Sequence, residues 1–153
     1  MEEAAERVTQ ALDAEETVAI FGDYDADGVT SAALLTRALR HHLGPDRIVT
    51  LLPEREEGYG LNLRGVGDAA RAGATLLIAV DCGSNDHAAV AAARKAEMDV
   101  VVLDHHQVGG PLPAAYAIVN PNREDDLSGQ GHLCAAGVVF LALVETARQL
   151  RGR

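Results

Sequence analysis

The chain has 153 residues, of which 48% are hydrophobic and 24% charged, and its formal net charge is −10. This length suits one domain with a sizeable core, and no apolar run approaches the roughly 18 residues that a membrane span needs. The acidic start is unlike the basic start of a signal peptide, so we expect a cytoplasmic protein with no membrane partner. Such an acidic chain is poorly suited to grip a phosphate backbone by itself.

The predicted elements alternate between helices and apolar strands. Helices are predicted near 3–14, 29–43, 62–72, 86–97 and 133–150, and strands near 17–21, 48–52, 75–80, 99–103 and 116–119. Strands that are apolar on both faces are typical of a parallel sheet covered by helices on both sides. The sequence therefore predicts an α/β fold, a Rossmann-like five-stranded parallel sheet with helices on both faces. We expect Asn62 to cap the third helix, and Ser84 or Asn85 to cap the fourth.

The two cysteines, Cys82 and Cys134, form no C-x-x-C pair. We expect each to be a buried, reduced thiol, as in a reducing compartment.

Three carboxylates follow the first strand at alternate positions, Asp23, Asp25 and Asp27, and Gly28 comes next. Carboxylates this close repel one another unless a cation neutralises them. Hard oxygen ligands suit Mg²⁺, Mn²⁺ or Ca²⁺. A calcium-binding EF-hand loop is the competing interpretation, but it needs a preceding helix and a glutamate at its twelfth position. That position is Leu34 and the preceding run reads as a strand, so we exclude it.

Two further predicted strands also end in ligand-type side chains. Asp81 follows the third strand, and Asp104, His105 and His106 follow the fourth. Ligands of open parallel sheets bind outside the carboxyl ends of the strands. If the first, third and fourth strands are neighbours, their polar ends share one crevice. Carboxylates with imidazoles there predict a site of the two-metal kind, which activates water and clamps the oxygens of a phosphoryl displacement.

Several segments, in order along the chain, carry a family resemblance. Gly-Asp-Tyr-Asp-Ala-Asp-Gly at 22–28, Val-Asp-Cys-Gly at 80–83 and Asp-His-His at 104–106 resemble the first three motifs of the DHH phosphoesterase superfamily. The segments that resemble its RecJ branch, the single-strand-specific exonucleases, lie at 57–61, 119–123 and 135–140. The resemblance extends from about residue 17 to residue 150.

The resemblance implies two bound ions, Mn²⁺ or Mg²⁺, and degradation of single-stranded DNA from its 5′ end in recombination and repair. It also implies roles for a catalytic set: Asp25 and Asp27 as ligands of separate metals, Asp81 as their bridge, His105 as a further ligand, and His106 at the scissile phosphate. Asp23 would be another ligand or lie just behind the ligands, and Asp104 would orient the neighbouring imidazole. Arg55, Tyr59 and Arg123 are candidates for binding the DNA, and a structural salt bridge is the alternative for each arginine.

The family pattern also includes a fourth aspartate motif and further domains downstream. We therefore expect residues 1–153 to form a single DHH-type catalytic subdomain, truncated relative to the full-length enzyme and weakly active or inactive alone. A single-strand-binding protein or a helicase is a candidate cellular partner. Two alternatives stay open: another DHH phosphoesterase acting on short oligonucleotides, nucleotide phosphates or cyclic dinucleotides, and a non-catalytic binding module with the same fold.

Overall fold

A single parallel sheet forms the centre of the molecule. The computed structural model describes residues 1–152, and within them five strands pair in the order β2-β1-β3-β4-β5. The strands are β1 (Val18–Gly22), β2 (Ile48–Leu51), β3 (Leu76–Val80), β4 (Asp99–Leu103) and β5 (Ala117–Val119). All the pairings are parallel. The predicted α/β sheet is therefore confirmed, and β1, β3 and β4 are adjacent.

Helices cover both faces of the sheet. They are α1 (Glu2–Asp13), α2 (Ala26–Leu43), α3 (Leu63–Arg71), α4 (His87–Lys95) and α5 (Ala135–Arg151). One core packs α1, α2 and α5 against the face that carries Ile20, and the other packs α3 and α4 against the face that carries Phe21. Successive strand residues point to opposite faces, so an uninterrupted apolar strand serves both cores. No helix within residues 1–152 is long and apolar enough to cross a bilayer.

The structure differs from the prediction at the beginnings of three helices, of which α5 begins at Ala135 rather than near residue 133. α2 begins at Ala26 rather than near residue 29, which places the acidic motif at the helix N-terminus. Asn62 caps α3 as predicted, because its side chain accepts a hydrogen bond from the Gly65 amide. The predicted cap of α4 is wrong: the N-cap residue is Asp86. Residues 83–86 form a turn before α4, and the Asp86 amide donates to the Gly83 carbonyl within it.

The two cysteines lie in different environments. Cys82 is buried and unpaired, as predicted, and burial raises the pKa of its thiol. Cys134 is unpaired but exposed, so the expectation that both thiols are buried is wrong for it. Its position at the N-cap of α5, at the surface end of a polar loop, accounts for the exposure.

Candidate metal centre

The loop after β1 packs tightly against the start of α2. Asp25 is the N-cap of α2, and its Oδ1 accepts hydrogen bonds from the amides of Asp27 and Gly28, both at 3.0 Å. These bonds, the one from Gly28 first, lower the pKa of Asp25. A Cβ atom on Gly28 would lie 2.4 Å from the Asp23 carbonyl oxygen. Glycine ends this motif because the helix approaches the loop closely.

Asp27 joins the first turn of α2 to the N-terminus of α5. Its Oδ2 accepts from the Ala135 amide at 2.7 Å, and its Oδ1 accepts from the Ala136 amide at 2.9 Å. The partial positive charge of a helix N-terminus favours a carboxylate at this position. Oδ2 also lies 3.6 Å from Nε2 of His105. Asp27 is therefore fixed by α5 while it faces the residues that follow β4.

Asp81 is a buried carboxylate in an uncommon backbone conformation. It follows β3 with a φ of 60°, in the left-handed region where Asn and Asp are the most common residues after glycine. Burial, together with the charges of Asp27 and Asp25, raises the pKa of Asp81 to about 7. Its buried Oδ1 accepts no hydrogen bond from residues 1–152, although Nε2 of His105 lies 3.1 Å away. A buried, unsatisfied carboxylate oxygen beside other carboxylates is a favourable position for a cation.

Asp104 organises the two histidines that follow β4. Its Oδ1 accepts from the amides of His105 and His106, at 2.7 and 3.2 Å, and contacts Nδ1 of His106 at 2.8 Å. Its Oδ2 accepts from the Ser84 amide at 3.1 Å. Burial opposes ionisation of Asp104, but these hydrogen bonds outweigh it and lower its pKa. Burial likewise opposes the imidazolium form of His106, whereas the hydrogen bond and charge of Asp104 raise its pKa overall.

The structure brings together candidate ligands from the ends of β3 and β4, and Asp27, which follows β1, lies 3.6 Å from this group at His105 Nε2. One ligand atom each from Asp81, His105 and His106 lies within 4.8 Å of the others. The predicted residues that line the cleft of about 380 Å³ beside this cluster are Asp23, Asp25, Tyr59, Asp81, Asp104 and His106. Carboxylate oxygens and imidazole nitrogens are a donor set suited to Mn²⁺ and compatible with Mg²⁺. With the unsatisfied Asp81 oxygen at its centre, this group of residues fits the metal that the sequence predicts.

Tyr59 lies beside the cleft between Gly58 and Gly60, and Arg55 lies in the short turn that precedes Gly58. Asp23 Oδ2 accepts from the Gly60 amide at 3.1 Å, which holds the segment against β1. The Tyr59 ring is 4.5 Å from the Tyr24 ring, measured between centroids, and Tyr59 is 69% exposed. The hydrogen bond with Tyr59 is the main cause that raises the pKa of Tyr24, and the charge of the exposed Arg55 nearby opposes this rise. This rim presents aromatic faces and one cationic side chain to solvent.

Arg123 does not join this group. Its guanidinium contacts both carboxylate oxygens of Asp125, at 2.8 and 2.6 Å, and donates to the Ile118 carbonyl. It lines a separate cavity of about 410 Å³, which Leu127 and Val138 also line. The contact that the structure shows for Arg123 is thus the salt bridge, the alternative that the sequence left open.

Two asparagines that the sequence analysis did not assign support the histidines from behind. Asn120 is buried, and its Nδ2 donates to Ser84 Oγ and to the His106 carbonyl, both at 2.9 Å. Asn122 donates to the His105 carbonyl. The available signal was the Asn-Pro-Asn sequence directly after a predicted strand, which also forms part of the family resemblance.

Asp86 is a further polar residue of the cleft that sequence reasoning missed. Burial raises its pKa, although hydrogen bonds from the Leu61 and Gly83 amides oppose this. No signal singled it out, because it falls at the start of a predicted helix, where an aspartate is ordinary.

Comparison with known proteins agrees with this geometry. The profile of the DHH family, N-terminal domain, matches residues 17–152. A single-stranded-DNA-specific exonuclease RecJ from Dickeya dadantii (strain 3937) is 42% identical over 150 residues, which are 97% of this chain and 26% of that protein. A crystal structure of exonuclease RecJ bound to manganese matches with a TM-score of 0.85 and 34% identity, over 97% of this chain and 37% of that one.

A second crystal structure, RecJ in complex with Mn²⁺ from Thermus thermophilus, matches with a TM-score of 0.81 and 31% identity, over 98% of this chain and 21% of that one. The resemblance to the RecJ branch is therefore confirmed. The chain spans about a quarter of the length of curated relatives such as the RecJ proteins of Dickeya dadantii and Escherichia coli.

Proposed function

The chain belongs to the DHH family, and on that premise we propose that it is the catalytic DHH subdomain of a metal-dependent exonuclease that hydrolyses single-stranded DNA from its 5′ end. The observation that carries this proposal is the buried, unsatisfied Oδ1 of Asp81, which faces His105 at 3.1 Å beside the carboxylates of Asp25 and Asp27. Structural neighbours that bind manganese and relatives that act on single-stranded DNA support it.

The residues proposed to hold two Mn²⁺ or Mg²⁺ ions are Asp25, Asp27, Asp81 and His105, with Asp23 as a further ligand or a support behind them. When bound, these ions would lower the pKa of an attacking water and offset the negative charge of the phosphodiester. Asp81 is proposed as the shared ligand because it lies between the residues that follow β1 and those that follow β4. The first amides of α5 hold the carboxylate of Asp27, another proposed ligand, in place.

His106 is the proposed contact to the scissile phosphate. Asp104 holds its Nδ1, so Nε2 is the nitrogen that can turn to the phosphate. Asp104 stabilises an imidazolium at His106 through its hydrogen bond and charge, and such a group would offset the negative charge that develops on the phosphate during the reaction. Asn120 fixes the His106 backbone and so limits movement of the ring.

Single-stranded DNA is the proposed substrate class because the rim of the cleft offers stacking surfaces. Exposed aromatic rings such as Tyr59 bind unpaired bases without regard to sequence. Arg55 is proposed to contact a backbone or terminal phosphate. Arg123, paired with Asp125 outside the cleft, is left out of this contact.

We extend the proposal to the longer protein that the lengths of the relatives imply. Residues 1–153 would be one catalytic subdomain, and basic surface in the remainder would bind the DNA backbone, since this chain has a net charge of −10. A cytoplasmic location, a role in recombination and repair, and a single-strand-binding protein or helicase as partner belong to the same proposal.

The decisive experiment measures metal binding and hydrolysis separately. Calorimetry of this chain with Mn²⁺ should show binding, and Asp81→Asn should abolish most of it. With Mn²⁺, the longest reading frame that contains the chain should release mononucleotides from 5′-phosphorylated single-stranded DNA, and a blunt duplex of the same sequence is the matched control.

Two other results would redirect the assignment. Faster cleavage of dinucleotides or cyclic dinucleotides would favour another DHH phosphoesterase. The absence of Mn²⁺ binding and of hydrolysis would overturn the proposal in favour of a non-catalytic module.

A further inference from the structure

Asp86 occupies the N-cap position of α4 but does not cap the helix. An aspartate at this position normally accepts a hydrogen bond from an amide in the first turn, yet the Asp86 side chain makes no such bond. Its Oδ2 instead accepts from the amides of Leu61 and Gly83, each at 2.9 Å. A residue that departs from a favourable local arrangement is expected to serve a purpose elsewhere in the structure.

The two amides belong to segments that meet at the cleft. Leu61 ends the segment 58–61, which we call the tyrosine loop because it carries Tyr59. Gly83 lies in the turn that follows Asp81. One carboxylate oxygen of Asp86 thus ties the tyrosine loop to the turn beside the candidate ligand.

A second carboxylate holds the neighbouring amide of the same loop. Asp23 accepts from the Gly60 amide at 3.1 Å, so two successive loop amides are bound by carboxylates from outside the loop. The fit against Asp86 is close, because a Cβ atom on Gly60 would lie 3.0 Å from Asp86 Oδ1, and the φ of Gly60 is 100°. The loop also contains Gly58 at a φ of 80°, and glycines leave a free loop conformationally unrestricted.

We propose that Asp86 is a positioning residue that holds the tyrosine loop at the cleft, so that the Tyr59 ring stays in contact with the Tyr24 ring and presents a platform to a base of single-stranded DNA. This inference rests on the proposed function, because the platform has a use only if a nucleic acid enters the cleft. Without Asp86, the loop would keep the Asp23 bond but lose its connection to the Gly83 turn, and Tyr59 would sample positions away from Tyr24.

Two substitutions separate positioning from a structural role in α4. Asp86→Ser supplies a residue that caps helices well, but its side chain is too short to bridge Leu61 and Gly83. Asp86→Asn keeps a carbonyl oxygen at the length required for the bridge. If Asp86 serves only to begin α4, serine should replace it without effect. If Asp86 positions the loop, asparagine should replace it and serine should not.

The first measurement is a tyrosine spectrum of this chain. The chain has no tryptophan and three tyrosines, so its near-ultraviolet circular dichroism comes largely from tyrosine, and Tyr59→Leu identifies the part that depends on the contact with Tyr24. Asp86→Ser should lose most of the signal that Tyr59→Leu removes, and Asp86→Asn should keep it, while the thermal midpoint of the serine variant stays within a few degrees of the parent. A serine variant with the parent spectrum, or an asparagine variant that loses the signal equally, would overturn the inference.

The second measurement is Mn²⁺-dependent hydrolysis of 5′-phosphorylated single-stranded DNA by the longer protein. Asp86→Ser should raise KM about tenfold, as expected for a weakened base-stacking contact, and leave kcat within about twofold of the parent. A fall in kcat at constant KM would contradict positioning. If the parent hydrolyses no DNA, the proposed function fails, whereas the spectrum still decides the role of Asp86.

Discussion

Replacing Asp81 by asparagine should stabilise the metal-free protein above pH 7 and abolish most of its binding of Mn²⁺. The carboxylate is 2% exposed, it lies beside two other carboxylates, and its Oδ1 is unsatisfied by residues 1–152. Without a cation, each of these features opposes its ionisation. Asparagine tolerates a φ of 60° about as well as aspartate, so the substitution adds no backbone strain.

The sign and size of the effect follow from the raised pKa of Asp81. Because its pKa rises from the ordinary 3.8 to about 7 on folding, the folded protein binds this proton more tightly, and stability falls as the pH rises between these two values. The full rise in pKa corresponds to roughly 4 kcal/mol in the free energy of unfolding, at about 1.4 kcal/mol per pH unit. Since nearby carboxylates share the titration and water relaxes around the site, we expect a gain of about 1–3 kcal/mol above pH 7.

Urea denaturation in EDTA at pH 4, 6 and 8, followed by far-ultraviolet circular dichroism, measures this gain. The two proteins should be equally stable near pH 4, and Asp81→Asn should become the more stable one as the pH rises. Calorimetry should show that the variant has lost most of its Mn²⁺ affinity. An asparagine variant that is less stable than the parent at pH 8, or that binds Mn²⁺ equally well, would refute the reasoning.

Asp104→Asn is the matched control at the neighbouring strand end. Asp104 is equally buried, but it accepts hydrogen bonds from Ser84, His105 and His106, and its pKa is lowered. Its ionised form therefore adds stability above the pKa of the unfolded chain, and this stability is lost as the pH falls through the lowered value. Asparagine would set an amide against these donors and should cost about 2–4 kcal/mol at pH 8. Asp81→Asn should thus raise the stability at pH 8 and Asp104→Asn should lower it. Opposite changes would distinguish the proposed metal ligand from the carboxylate that holds the histidines in place.

Three further predictions follow from the same structure. Mn²⁺ binding should release more protons at pH 6 than at pH 8.5, because Asp81, with a pKa of about 7, carries its proton at the lower pH and must lose it to bind the ion. Calorimetry in buffers of different ionisation enthalpy measures this proton release, and equal release at both pH values would contradict the prediction. Asp27→Ala should lower the stability in EDTA by about 1–2 kcal/mol and speed hydrogen exchange at the first amides of α5, because these amides lose their acceptor. Unchanged exchange would show that Asp27 does not bind these amides. Gly65→Ala should cost about 1–3 kcal/mol in urea denaturation, because its Cβ would lie 2.3 Å from the Phe21 ring. Gly67→Ala is the control in the same helix, and it should be neutral or stabilising because its Cβ would meet only a flexible arginine tip at 3.4 Å. Equal losses of stability in the two variants would count against this packing.

The fold and the edge of the sheet that carries the site could be predicted from the sequence. Runs such as Val18–Gly22 and Leu76–Val80 are apolar at every position, which indicates strands buried on both faces. Asp81 and Asp104 each follow such a strand directly, and parallel strands place their carboxyl ends at one edge. These inferences succeed because periodicity and strand direction are local or topological properties.

The partners of the polar groups were decided only by the tertiary structure. The sequence marked Asp27 as a candidate ligand, but its bonds to the first amides of α5, more than 100 residues away, depend on how two helices pack. Asp86 resembles an ordinary helix start, and it binds Leu61 only because a distant loop folds over it. Arg123 faces Asp125 instead of the cleft.

The amino-acid sequence by itself determined which donors, acceptors and charges arrive at the rim of the sheet, since each strand delivers whatever residues follow it. Which of them meet, and which oxygen of Asp81 is left without a partner, was decided by packing. A hydrogen bond depends on the separation and alignment of atoms within a few tenths of an ångström, and only the assembled cores fix those distances.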